Sequence, residues 1–287
     1  MTPPQQADAL RYRITVHVFA CALAGAQLIA STMSYAASEW TKDPYASLRL
    51  LNGGLTQDAN AGASRIAALE MKLKPGWKTY WRAPGDSGVP PRFDFSKSEN
   101  VADVAVLWPA PLVFADGNGG KSIGYHESLI LPMRVTLKDP HAKATLRAAI
   151  QYGVCEKLCV PGEASLEIGL DAPASNDSHL IAGALKEVPR SLNFETSSVR
   201  AISRDSDGKR VFLDIATDAA PDAVLVEGPT PDWALPIPTP VDGAPGGMRR
   251  FVFSLDGAPP GQTYENVALR ITILSAGRHE ETQINLK

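Results

Sequence analysis

Short runs of alternating apolar and polar side chains recur along this chain, and turn-forming residues separate them. The clearest is AALEMKLK at 67–74, where Leu69, Met71 and Leu73 fall on one side and Glu70, Lys72 and Lys74 on the other. A period of two sends successive side chains to opposite faces of an extended backbone. The run therefore predicts a half-buried antiparallel strand with its charged residues in water. Residues 129–137, 145–152 and 164–170 follow the same pattern. Twenty-three glycines and 23 prolines lie between such runs rather than in one block, as turns linking many strands require.

The runs at 145–154 and 159–170 flank the segment Gly153-Val-Cys155-Glu-Lys-Leu-Cys159. A hairpin built from them carries two thiols at its mouth, where Cα atoms of facing residues stand about 5.5 Å apart, within reach of a disulfide. A linker-like stretch, DAPASND at 171–177, follows. Leu180, Ile181, Ala184, Leu185 and Val188 then recur at helical spacing, which predicts a helix over 178–188 capped by Asp177 or Ser178 and stopped by Pro189. Further strands are expected at 198–203, 210–217, 223–226, 249–255 and 266–274, with a short one near 282–286. The expected fold class is all-β. A first β-sandwich domain spans 37–172, a linker with a short helix 173–190, and a second β-sandwich 191–287. The second half holds no cysteine and no cluster of histidines or acids at catalytic spacing, which suits a scaffold or docking surface.

The N-terminus follows a different rule. Residues 1–13 are polar and end on Arg11 and Arg13, residues 14–30 are apolar apart from His17 and Gln27, and Ser34-Tyr35-Ala36 offers small residues at the −3 and −1 positions. This is the layout of a secretory signal peptide over residues 1–36, with cleavage expected after Ala36. An uncleaved anchor and a lipid-modified Cys21 are the alternatives. The seventeen residues 14–30 are marginal for spanning, and Val18-Phe19-Ala20 fits a lipobox poorly. The layout predicts export from the cytoplasm, into conditions that permit a disulfide. Without residues 1–36 the balance is 26 basic against 30 acidic side chains, a formal −4, which argues against a nucleic-acid partner.

Export leaves Cys155 and Cys159 as the thiols of the processed chain. A bond closing about five residues contributes only ~2 kcal/mol in the chain-entropy model, against ~4.7 for a 100-residue loop, so it is a poor staple. Three uses stay open: a pair that is made and broken, a static hairpin clip, and a copper(I) site in which His126 adds a nitrogen. Lys157 favours a thiolate and Glu156 opposes it. Tyr80, Trp77 and Trp81 are core aromatics or walls of the site. Asp116 is a proton acceptor or an Asp-Gly turn former. Glu163, after Pro161-Gly162, reads as a turn residue. No cofactor is expected.

Gly76-Trp-Lys-Thr-Tyr80-Trp-Arg82, then Ala102-Asp-Val-Ala-Val, Gly120-Lys-Ser122, Tyr125, Leu129-Ile-Leu-Pro-Met-Arg-Val and Ala144-Thr-Leu146 stand in an order that ends on Tyr152-Gly153, Cys155 and Cys159-Val-Pro-Gly-Glu163. In that order the stretch from Gly76 to Leu170 resembles the N-terminal periplasmic domain of the thiol:disulfide interchange protein DsbD, with the related domain of ScsB-type proteins. The resemblance implies an immunoglobulin-like β-sandwich carrying a redox pair. In such proteins the domain takes electrons from a membrane-embedded partner through a thioredoxin-like domain and passes them to periplasmic oxidoreductases. It implies further that Cys159 forms the mixed disulfide and Cys155 resolves it, with Tyr80 beside the thiols and Asp116 in a shielding cap loop. This chain departs from the family pattern in three ways. The Escherichia-type pair has a longer spacing, Asn118 stands where a lid aromatic is expected, and Gly117 replaces an acid. Phe114 is the aromatic left to substitute.

The function expected is periplasmic thiol–disulfide exchange through Cys155 and Cys159. The partners would be a membrane electron-transfer protein and thioredoxin-like oxidoreductases, with the chain itself a monomer. A non-catalytic binding or assembly module with a structural disulfide, and a copper(I)-handling protein, are the other readings.

Overall fold

The computed structural model describes residues 36–55, 64–116, 119–218 and 220–286. The expected leader, with Cys21, lies outside them apart from Ala36, as do Gly117 and Asn118. No helix of the described residues is long and apolar enough to cross a membrane.

Alternation builds ten strands in the first half. They are β1 (Ala46–Leu55), β2 (Ser64–Leu73), β3 (Lys78–Gly85), β4 (Arg92–Asp94), β5 (Val101–Val106), β6 (Leu112–Ala115), β7 (Lys121–His126), β8 (Ser128–Leu137), β9 (Thr145–Cys155) and β10 (Cys159–Gly169). One sheet runs β1-β2-β8-β5 and the other β10-β9-β3-β7-β6, with β4 added against β9. Leu48, Leu50, Leu69, Met71, Leu131 and Met133 of the first share one core with Trp81, Tyr125, Leu146, Ile150, Leu166 and Ile168 of the second. Each such side chain contributes roughly 1.5–3 kcal/mol on burial, so the core outweighs a five-residue disulfide many times over.

Glu70 breaks the alternation rule. Expected in water, it is 3 % exposed. Arg49 on the adjacent β1 meets its carboxylate at 2.7 Å, and the same guanidinium reaches Asp177 at 2.7 Å. A buried carboxylate requires such a partner. Asp177 does sit at the N-cap of α1 (Ser178–Lys186), but it makes no side-chain cap bond because Arg49 engages its carboxylate. The helix ends before Val188 and packs Ile181 with Leu51 and Ala68.

The second half holds β11 (Arg190–Leu192), β12 (Val199–Arg204), β13 (Arg210–Ile215), β14 (Ala223–Glu227), β15 (Thr239–Val241), β16 (Arg249–Ser254), β17 (Val267–Ser275) and β18 (Arg278–Leu286). They form two four-stranded sheets, β11-β18-β17-β14 and β12-β13-β16-β15, around a core that includes Val211, Leu213, Phe251, Leu269, Ile271 and Ile284. The last strand is longer than the short one expected near 282–286, because it pairs with β17 along its whole length through a turn at Gly277, φ +67°. The architecture is all-β, with α1 between the two pairs of sheets. The two pairs of sheets are in contact: Leu225 and Leu274 join the first core, and Arg82 of β3 pairs with Glu227 and Glu281.

Candidate functional site

β9 and β10 pair without interruption from Thr145↔Gly169 to Cys155↔Cys159, so the cysteines are the last facing residues before the tip Glu156-Lys157-Leu158. Their sulfurs are bonded and their Cα atoms are 4.2 Å apart. That is closer than the 5.5 Å expected and near the ~4.5 Å of a non-hydrogen-bonded pair. Exposure divides the two: Cys155 is 3 % exposed, whereas Cys159 lies open beside Leu158, itself 79 % exposed.

Strand parity explains what surrounds the sulfurs. Tyr152 and Val154 turn into the core, which leaves Gly153 and Cys155 on the outer face. On β3 Trp81 turns inward, and Lys78, Tyr80 and Arg82 turn outward. Lys78 stands opposite Cys155 on one side and His126 on the other. Tyr80 stands opposite Gly124, where a Cβ would lie 1.9 Å from the carbonyl oxygen of Thr79, so β3 and β7 approach each other only because that position is glycine. The Tyr80 ring passes over Gly153, and its hydroxyl donates to Cys155 Sγ at 2.7 Å and lies 3.2 Å from Cys159 Sγ.

Tyr80 is only 2 % exposed although it faces away from the core. The segment 84–90 covers it. A Cβ on Gly88 would lie 2.7 Å from the Tyr80 ring, and a Cβ on Gly153 would lie 2.9 Å from Val89. This flap is pinned at several points. The Asp86 N–H donates to the Lys121 carbonyl and the Lys121 N–H to the Asp86 carboxylate, both at 2.8 Å. The Ser87 hydroxyl donates to Asp116 at 2.6 Å.

Asp116 also accepts from Lys78 Nζ at 2.8 Å and from Ser122 Oγ at 3.1 Å. Burial pushes its carboxyl up, but the hydrogen bonds from Lys78, Ser87 and Ser122 and the Lys78 charge outweigh that and hold it below the usual carboxylate range. Asp116 therefore ties the flap to β3, and the hydrogen bonds of its carboxylate among the described residues come from these side chains and not from a sulfur. Burial first, and the Asp116 charge second, raise the Tyr80 phenol above its ordinary value. It is a neutral donor at neutral pH.

The other singled-out residues stand elsewhere. Phe114 lies on β6, three strands from β9, edge-on to His126 at 6.0 Å and under Lys78 at 5.4 Å. His126 is two strands from Cys155 across β3, roughly 9–10 Å by strand spacing, so it does not converge with the sulfurs. No group of three or more His, Cys, Asp or Glu able to hold a metal occurs among the described residues. Trp77 stacks on Tyr45 at 4.3 Å, Glu156 and Lys157 are exposed at the tip, and Glu163 lies inside β10 facing Gln151 rather than at a turn. Lys78, Ser87, Ser122 and the flap glycine Gly88 were not anticipated. Parity from Tyr80 places Lys78 on its face, and Pro84-Gly-Asp-Ser-Gly-Val-Pro90 has the composition of a loop, but neither signal reveals what they touch.

A disulfide of this kind undergoes exchange when a thiolate attacks one sulfur in line and the other leaves. Of the two sulfur-bearing residues Cys159 is the exposed one, and Cys155 Sγ receives the Tyr80 hydroxyl; a hydrogen bond to a charged group is roughly twice as strong as one between neutral groups.

Residues 54–170 match the family model described as "Thiol:disulfide interchange protein DsbD, N-terminal". A comparison with curated proteins returns no match. Among solved structures, the N-terminal periplasmic domain of ScsB from Proteus mirabilis is similar, with a TM-score of 0.67 and 22 % identity over 88 % of this chain and 99 % of that one. The adhesin domain of Epf from Streptococcus pyogenes aligns over 86 % of this chain and 79 % of its own, at 8 % identity and a TM-score of 0.21.

Proposed function

We propose, from the premise that residues 54–170 form a domain of the DsbD N-terminal family, that this chain is a periplasmic thiol–disulfide relay working through Cys155 and Cys159. The observation that carries the reading is the asymmetry of the pair, one sulfur exposed and the other buried under a phenol donor.

In the proposed cycle a donor thiolate attacks Cys159 Sγ. The bond to Cys155 breaks, and its electron pair stays on Cys155 as a thiolate held by the Tyr80 hydroxyl. A second donor thiol then attacks the donor's sulfur in the mixed disulfide, which releases Cys159 and completes a two-electron reduction of the pair. Delivery runs in reverse: the Cys159 thiolate attacks a client disulfide, and Cys155 resolves the mixed species while the client leaves as a dithiol. Thioredoxin-like proteins, and a membrane protein supplying electrons to them, are the partners that fit this chemistry. Tyr80 and Asp116 serve it in different ways, Tyr80 by contact with the leaving sulfur and Asp116 by holding the flap.

Trapping tests the proposal. A Cys155→Ala variant should accumulate reducible mixed disulfides with thioredoxin-like proteins of the periplasm, and Cys159→Ala should not. Equal capture by both variants, or by neither, would count against it.

A further inference from the structure

Three outward side chains of β3 carry three different loads. Lys78 is tied to Asp116, Tyr80 contacts the sulfurs, and Arg82, lying over the Trp81 ring, reaches across to the second sandwich. Arg82 Nε and Nη2 donate to the two oxygens of Glu227 at 2.9 and 2.7 Å, a bidentate fork, and Nη2 also meets Glu281. Glu227 lies on β14 and Glu281 on β18, so both carboxylates belong to the second sandwich. The side chains of Arg82, Glu227 and Glu281 are 19, 13 and 21 % exposed, and Arg270 stands outside them at 3.9 and 3.6 Å. A bidentate guanidinium–carboxylate pair this sheltered fixes direction as well as position.

Arg82 is two residues from Tyr80 and two before Pro84, where the flap begins. Between the flap and the second sandwich lies a cleft of about 580 Å³, lined by Arg82, Pro84 and Gly88 on one side and Glu227, Trp233 and Leu235 on the other. Across that gap the Arg82 pair bonds the second sandwich directly to the strand carrying the tyrosine. Resting on the exchange reading of the site, we infer that Arg82 is a positioning residue through which Glu227 and Glu281 of the second sandwich seat the Tyr80 hydroxyl on Cys155, and so bias the equilibrium between disulfide and dithiol. The second sandwich on this account is part of the redox device, although it contributes no atom that touches a sulfur.

The test is a double-mutant cycle on the full chain. Glu227→Gln with Glu281→Gln changes only the second sandwich, and it is compared in the Tyr80 and the Tyr80→Phe backgrounds. The readout is the equilibrium in which the disulfide and two glutathiones give the dithiol and oxidised glutathione. A thiolate loses stabilisation when its donor is misplaced, so the clamp variant should shift this equilibrium toward the disulfide by about threefold or more with Tyr80 present. It should shift by less than about twofold with Phe at that position. Arg82→Lys, which keeps the charge but loses the fork, should follow the same pattern and covers the case in which the double variant folds poorly. Equal shifts in both backgrounds, or none with Tyr80 present, would overturn the inference. The unmodified protein's own potential judges the exchange reading separately, since the cycle can be scored whatever that value is.

Discussion

The hydroxyl of Tyr80 donates to the sulfur of Cys155 at 2.7 Å, the buried partner of an exposed cysteine. In the disulfide this is a weak contact, because sulfur is a poor acceptor. Once the bond opens and Cys155 carries charge, the same geometry becomes a charge-assisted hydrogen bond. The same hydroxyl therefore stabilises a thiolate on Cys155 more than it stabilises the disulfide.

Tyr80→Phe removes that donor and nothing else of comparable size. A hydrogen bond to a charged group contributes about 1.5–3 kcal/mol, so the ionisation midpoint of the reduced Cys155 thiol should rise by about one to two pH units. Alkylation rates of each cysteine followed across pH will show it. An unchanged Cys155 profile would mean that the phenol has no part in the chemistry.

Reduction should leave the fold standing. The bond closes only the short tip between β9 and β10, and its chain-entropy contribution is ~2 kcal/mol. The described core is large enough that the reduced protein should melt only about 4–8 °C below the oxidised one. Calorimetry with and without reductant measures this, and cooperative unfolding on reduction would point to a structural staple instead.

Asp116 should matter above the acid range and not within it. Its carboxyl is held below the ordinary carboxylate value, where burial opposes and the bonds from Lys78, Ser87 and Ser122 prevail. A group depressed in the folded state adds stability above its unfolded pKa of about 3.9, and that stability is lost as pH falls through the folded value. The difference in Tm between the unmodified chain and Asp116→Asn should be a few degrees and constant from about pH 5 upward. It should shrink below about pH 4. A difference that grew on acidification would reverse the assigned sign.

Gly88→Ala should disturb the site without touching a sulfur. The added methyl would sit 2.5 Å from Pro84 Cβ and 2.7 Å from the Tyr80 ring, and overpacking of this kind costs roughly 1–3 kcal/mol. The flap is the part able to yield, so Tyr80 should gain solvent access. Chemical modification of Tyr80, read by peptide mapping, would report it. Unchanged accessibility together with unchanged stability would show that the flap does not seal the ring.

Much of this was legible in the alternation of side chains, and the exceptions share one cause. Period-two runs identified the β9–β10 hairpin because every inward residue from Leu146 to Val154 is apolar or aromatic. The same rule failed at Glu70, whose short ion pair is with Arg49, 21 residues away, a guanidinium that Asp177 also engages. The cysteine pair was readable by itself. The Tyr80 contact came only from family resemblance, since it rests on β3 meeting β7 at glycine 124 and on Val89 of the flap packing over glycine 153, which no local pattern announces. Asp116 was singled out, but its tie to Lys78 spans 38 residues and emerges only when β3 and β7 lie side by side. Arg82 has partners 145 and 199 residues away, and no local pattern announces them.

Whether this disulfide is exchanged rather than kept is measured directly by its reduction potential against a glutathione or dithiothreitol series. A value above about −300 mV, within reach of thioredoxin-like partners between about −270 and −120 mV, is the result predicted. A value well below −300 mV would mark the bond between Cys155 and Cys159 as a permanent crosslink and contradict the account.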